Sequence, residues 1–158
     1  MPEKIIVVAT DDEYNTVKPL TKLKIVKTGP GTANTVEALK NLDPKTKIIN
    51  VGYAGSNNIP VGTIVKVKNS YSYHPSVTFN QERVYSLNGE IDCYTSSDFV
   101  LSTTIKEPVV FDMELNTICA FGFEVESYKI VSDNLSLKQY EQVDLNKKWI
   151  ELFNLIGE

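Results

Sequence analysis

The sequence predicts an α/β fold: a single three-layer domain over residues 1–158, with a mixed central sheet between helices. Three observations predict it. Lys4-Ile5-Ile6-Val7-Val8-Ala9 and Lys47-Ile48-Ile49-Asn50-Val51-Gly52 are near-continuous apolar, β-branched runs, the pattern of strands buried on both faces. A strand, a glycine turn, a helix and another strand follow one another between residues 23 and 52, a βαβ unit that calls for parallel pairing. Residues 61–73 instead alternate apolar and polar types, the period of a half-exposed strand, so the sheet is mixed.

The elements follow in order. Residues 4–9 are the first strand, and Thr10-Asp11-Asp12-Glu13 an acidic turn after it. Leu23-Lys24-Ile25-Val26-Lys27 is the second strand, ending at Thr28-Gly29-Pro30-Gly31. Residues 32–42 form a helix with Val36 and Leu39 on one face, closed by Asp43-Pro44. The polar stretch 75–94 holds a loop and short edge strands, with Asn88-Gly89 as a hairpin turn. Val109-Val110-Phe111 is a short buried strand, residues 113–123 a helix with Leu115, Ile118 and Cys119 inward, and residues 125–131 a last strand. Residues 136–156 close the fold as one or two helices. Leu145, Trp149, Leu152 and Ile156 make one apolar stripe there, which places Trp149 in the core.

Composition excludes several classes. The chain has 158 residues, 16 basic and 20 acidic, a net charge of −4 and 42% apolar types. That is neither collagen-like, disordered nor a disulfide scaffold. No apolar run approaches the length of a membrane span, and the first residues do not read as a signal peptide. Cys93 and Cys119 have no metal-ligand spacing and read as reduced thiols of a cytoplasmic protein. No metal and no cofactor is expected. The mild acidity argues against a nucleic-acid partner. Among the basic residues only Arg83 is an arginine.

In open α/β sheets ligands bind beyond the carboxyl ends of the strands. The residues there are Thr10-Asp11-Asp12-Glu13, Gly29-Pro30-Gly31, Gly52-Tyr53-Ala54-Gly55-Ser56, Asp112-Met113-Glu114 and Ser132-Asp133-Asn134. Three of the five clusters carry carboxylates. These acids would converge on one rim, where mutual repulsion argues against pure scaffolding; each also fits a helix N-cap or a solvated turn. Gly29-Pro30-Gly31 lacks the third glycine of a dinucleotide fingerprint, and no Walker-type lysine loop or nucleophile elbow is present. His74, the lone histidine, cannot build a metal site and reads as a loop residue that could line the pocket.

Four stretches, in order, carry a resemblance: Thr28-Gly29-Pro30-Gly31-Thr32-Ala33-Asn34; Asn50-Val51-Gly52-Tyr53-Ala54-Gly55 followed by Val61-Gly62-Thr63-Ile64-Val65; Phe111-Asp112-Met113-Glu114; and Ile130-Val131-Ser132-Asp133-Asn134. They resemble the motifs of the purine nucleoside phosphorylase and nucleosidase superfamily, most of all its methylthioadenosine/S-adenosylhomocysteine nucleosidase branch. The resemblance implies a phosphorylase/nucleosidase-like fold and hydrolysis of a purine nucleoside that releases adenine. By position, Asp133 matches the general acid at purine N7 and Glu114 the acid that grips the ribose hydroxyls. Glu13 matches the residue that orients the attacking water, a role Asp12 could hold instead. Gly55 falls in the turn under the sugar, Phe99 on the base with the Val100 backbone at its edge, and Ala54, Met113 and Ser132 within the matching motifs as substrate-binding candidates. The resemblance also implies a homodimer, with Tyr71, Tyr73 and His74 offered to the neighbouring subunit's pocket.

The chemistry suits those residues. Cleavage of an N-glycosidic bond passes through an oxocarbenium-like sugar, which nearby negative charge stabilises. The leaving purine needs a proton, and general-acid help is worth about 10²–10⁴-fold. A phosphorylase would need cationic donors for phosphate, usually arginine forks. Phosphorylases of the superfamily place arginines after the first strand and near the third-strand turn. Here those positions hold acids and Tyr53-Ala54-Gly55, so hydrolysis is favoured; a phosphorylase and an inactive nucleoside-binding relative are the alternatives.

Overall fold

The computed structural model describes residues 2–74 and 84–157. Strands β1 (Lys4–Val8), β2 (Lys24–Lys27) and β3 (Lys47–Ser56) pair in parallel in the order β2-β1-β3. In β1, Ile5 and Val7 join one core and Ile6 and Val8 the other, all at most 1% exposed. A strand that feeds two cores has no polar face to show, which is why its sequence is an unbroken apolar run.

Helices α2 (Thr32–Leu39) and α3 (Leu115–Ala120) cover one core through Leu39, Leu115, Ile118 and Cys119. Helices α1 (Asp11–Val17) and α5 (Asn146–Ile156) cover the other through Val17, Trp149, Leu152 and Phe153. The α5 stripe read from the sequence is present, with Trp149 and Leu152 fully buried. Helix α1 was not foreseen: the acidic segment is its first turn. Thr10 is its N-cap, accepting the Glu13 N–H, and Glu13 closes the reciprocal bond of a capping box.

The second half of the sheet departs from an open layer. Strand β8 (Glu124–Asp133) pairs in parallel with β3 and antiparallel with β4 (Ile64–Ser72). β4 pairs in parallel with β6 (Ile91–Thr95), β6 with β7 (Val109–Asp112), and β7 antiparallel with the end of β3. The chain of pairings β3-β8-β4-β6-β7-β3 thus closes on itself. Among the described residues strand β5 (Tyr85–Ser86) pairs only with β4.

Asn88-Gly89 is not a hairpin turn, because β5 and β6 pair with β4 rather than with each other. The segment crosses against β4: Leu87 N–H donates to the Lys68 carbonyl and Glu90 N–H to the Lys66 carbonyl. A Cβ on Gly89 would lie 2.4 Å from the carbonyl oxygens of Lys66 and Val67, so only glycine fits the crossing. Helix α4 (Leu137–Gln142) is capped by Ser136 and separated from α5 at Val143. No helix among the described residues is long and apolar enough to cross a membrane.

Candidate active site

The parallel strands β1, β3 and β8 end on the same side, and residues at or just past their carboxyl ends face one another. They line a cavity of about 180 Å³ with Ala9, Thr10, Glu13, Tyr53, Ala54, Gly55, Ser132 and Asp133. Pro30, Phe99, Phe111, Asp112, Met113, Glu114 and Tyr140 complete it, and among the described residues no basic one lines it.

Glu13 comes from the first turn of α1 and is only 5% exposed. Its Oε1 accepts the N–H groups of Ala9 and Thr10, each at 3.0 Å, and its Oε2 accepts the Tyr53 N–H at 3.0 Å. The capping box that starts the helix therefore also turns this carboxylate inward. Asp12, one residue earlier, is exposed and lines an outer groove instead. Of the two candidates for the water, only Glu13 reaches the cavity.

Glu114 begins α3, and its Oε2 accepts the Gly31 N–H at 2.9 Å across the mouth of the glycine turn. Burial foremost, then neighbouring Asp112, pushes its carboxyl up to about 7; the Gly31 N–H and Lys129 act the other way.

Asp133 is fully buried at the end of β8. The β3–β8 register shifts between Ala54 and Gly55: Ala54 faces Val131, but Gly55 faces Asp133. Ser132 is the extra residue, and such bulges re-aim side chains beside functional sites. Ser132 Oγ donates to Asp133 Oδ1 at 2.7 Å, and Leu135 N–H donates to Oδ2 at 3.0 Å. Burial raises the carboxyl above its ordinary range, against these hydrogen bonds. A Cβ on Gly55 would lie 2.9 Å from Oδ2, so the strand opposite must be bare there.

Phe99 lines the cavity edge-on to Tyr140, their ring centres 5.6 Å apart. Val100 lines a smaller adjoining hollow that shares Gly55, Phe99, Met113 and Asp133. His74 is exposed and lies outside both, at the edge of residues 75–83, which are outside the described residues together with Arg83. Tyr73 does not project outward: it is 4% exposed, packed against Tyr94 and Phe111 with its hydroxyl 2.9 Å from Thr103 Oγ1. It reads as a core residue because β4 turns that face onto the aromatic cluster.

Two groups escaped the sequence reading, Lys129 and Tyr140. Lys129, 2% exposed, puts Nζ 3.1 Å from Asp112 Oδ2 and 2.8 Å from Asn50 Oδ1. Asp112 also accepts from Thr95 Oγ1 and the Leu115 N–H. A lysine inside the apolar run of β8 was the available signal, since such a residue must find a buried partner. Tyr53 and Tyr140 wall the cavity on its outer side, with ring centres 6.3 Å apart. Tyr53 Oη accepts from Trp149 Nε1 at 2.9 Å. Tyr53 stands in a strand-end cluster of the sequence; nothing in the local pattern marked Tyr140. Among the described residues no group of three His, Cys, Asp or Glu could hold a metal ion.

No protein-family model matches the chain, and no curated protein matches it. Solved structures do. An MTAN from Chlamydia trachomatis bound to MTA is similar with a TM-score of 0.78 at 16% identity, covering 99% of this chain and 97% of that one. The 5′-methylthioadenosine/S-adenosylhomocysteine nucleosidase of Helicobacter pylori gives 0.72 at 13% identity over 99% and 96%. The futalosine hydrolase of the same organism gives 0.72 at 13% identity over 98% and 95%. The chain has the mixed α/β fold of these nucleosidase structures.

Proposed function

We propose that the protein is an N-glycosyl hydrolase that releases adenine from a purine nucleoside, 5′-methylthioadenosine or S-adenosylhomocysteine. One observation carries the reading: Glu13, Glu114 and Asp133, from three distant points of the chain, line one small cavity that none of the described basic residues lines. The fold shared with the Chlamydia trachomatis MTAN, seen in one structure with MTA and in another with adenine, supports it.

Each acid has a distinct task. The purine sits against Phe99 with N7 toward Asp133. Burial raises the Asp133 carboxyl, which favours the protonated acid that the departing base needs. Glu114, still fixed by the Gly31 N–H, accepts the ribose hydroxyls and places negative charge beside the developing cation. A carboxylate offers about four acceptor positions. Backbone N–H groups take three of them on Glu13, leaving one to orient a water at the sugar. Lys129 is committed to Asp112 and Asn50 rather than to an incoming anion. Phosphate would meet acids, so water is the nucleophile.

Purified protein is expected to release adenine from 5′-methylthioadenosine with no requirement for phosphate, and Asp133→Asn to lose about 10²–10⁴-fold in kcat. Strict phosphate dependence would make it a phosphorylase; adenine binding without turnover of any nucleoside would make it a binding protein. Futalosine belongs in the same assay, because the futalosine hydrolase is as similar in fold as the nucleosidase of the same organism. A homodimer completes the proposal, with exposed His74 offered to the second copy; sedimentation of the native protein tests it.

A further inference from the structure

Leu135 is the only non-glycine residue with positive φ among those described, at φ 64°. A left-handed conformation costs an ordinary residue roughly 1–2 kcal/mol, so the surroundings must hold it. They do so on both sides. The Asn134 side chain donates to the carbonyls of Ser56 and Ile59, at 3.2 and 2.8 Å, and the Asn134 N–H donates to Gln139 Oε1. Ser136 caps α4 through its bond from the Gln139 N–H. The Leu135 side chain packs with Val100 and Phe111, and its Cδ2 lies 3.3 Å from where a Gly55 Cβ would be. The turn directs the Leu135 N–H onto Asp133 Oδ2 at 3.0 Å and brings the Ser136 amide beside the same carboxyl.

We propose that Leu135 is a positioning residue: its left-handed backbone, rather than its side chain, aims two amides at Asp133 and holds that carboxyl in place over the cavity. The inference rests on the nucleosidase reading for its chemical purpose, but its geometry does not. The ionisable groups sharing this space are Glu13 from α1, Tyr53 from β3, Asp112 and Glu114 around the start of α3, Tyr140 from α4, and Asp98 in the adjoining hollow. None of them changes when only residue 135 is replaced.

The test separates backbone from side chain. Glycine adopts positive φ freely and asparagine tolerates it, whereas β-branched valine does not. The Asp133 carboxyl is titrated by carbon NMR in the full chain, without substrate. Leu135→Gly and Leu135→Asn are expected to leave its titration where the parent has it. Leu135→Val is expected to raise it by about one unit, the size of one lost amide-to-carboxylate hydrogen bond, and to lower kcat at least about tenfold. If the valine variant does not fold, Leu135→Ala against Leu135→Gly gives the same contrast. Neither has the packing contact, and only alanine bears the left-handed cost. A glycine variant shifted as far as valine or alanine, or no variant shifted at all, overturns the proposal. A parent protein that turns over no nucleoside, yet shows the expected titration order, overturns the function and leaves the positioning role standing.

Discussion

Lys129 Nζ lies 3.1 Å from Asp112 Oδ2 directly beneath the cavity, with side chains only 2% and 1% exposed. Burial alone would lower the lysine; Asp112 facing it more than reverses this, and its ammonium is held up to about 12. The pair sets the charge against which Glu114 titrates, because Asp112 raises that acid and Lys129 lowers it. Removing one partner of such a pair strands a buried charge, which costs about 3–5 kcal/mol. Lys129→Met is expected to lose that much in urea denaturation, and adding Asp112→Asn to recover part of it. A loss below about 1 kcal/mol would put the pair in the class of exposed bridges.

Glu114 links the site to pH. Its folded carboxyl sits at about 7 against an ordinary 4.5. An acid raised on folding binds its proton more tightly when folded, so the stability it contributes is full below about 4.5 and is lost as pH rises through about 7. Unfolding free energy measured across that window is expected to fall with pH in the parent and to fall less steeply in Glu114→Gln. Under the proposed function, activity is expected to run the other way, because an ionised carboxylate is the better acceptor for ribose hydroxyls. An acidic limb in kcat/KM near pH 7 is expected.

Gly89 should tolerate no side chain. Its crossing leaves 2.4 Å between a would-be Cβ and two carbonyl oxygens of β4, which are backbone and cannot swing away. Gly89→Ala is expected to cost at least about 1–3 kcal/mol by denaturation. A loss below about 1 kcal/mol would mean that residue 89 does not pass this close to β4.

Tyr53 gives the cavity an optical handle. Trp149 is the single tryptophan, fully buried, and its indole N–H donates to the Tyr53 hydroxyl. Tyr53→Phe leaves that donor without its acceptor and is expected to cost about 1–3 kcal/mol and to change Trp149 emission. An unchanged spectrum and stability would mean that the bond does not persist in solution.

Legibility in the sequence differed by kind of feature. The doubly buried strands β1 and β3 were readable because two covered faces leave no room for polar alternation. The α5 stripe was readable because a helix with one covered face repeats its apolar residues at fixed spacing. Helix α1 was missed because its seven residues carry three acids and few apolar side chains, and its start signal, Thr10 with Glu13, resembles a polar turn. The convergence of strand ends located Glu13 and Asp133 in one rim, since the parallel strands β1, β3 and β8 finish on one side. Glu114 joins them because β7 meets the end of β3 antiparallel. Tyr140 and Lys129 carried no such positional rule.

The sequence by itself determined which segments are covered on two faces, which on one, and which acids stand at strand ends. Those properties follow from solvent exposure, which acts on each segment at short range. Only the tertiary structure decided that Ser132 bulges so that Asp133 meets Gly55, that Gly89 slips past β4, and that Lys129 finds Asp112 and Asn50. These depend on contacts between residues far apart in the chain, such as the 79 positions between Asn50 and Lys129. Local periodicity cannot specify such pairs, because one pattern of buried faces is compatible with many registers; close packing and the need to satisfy each buried charge select among them.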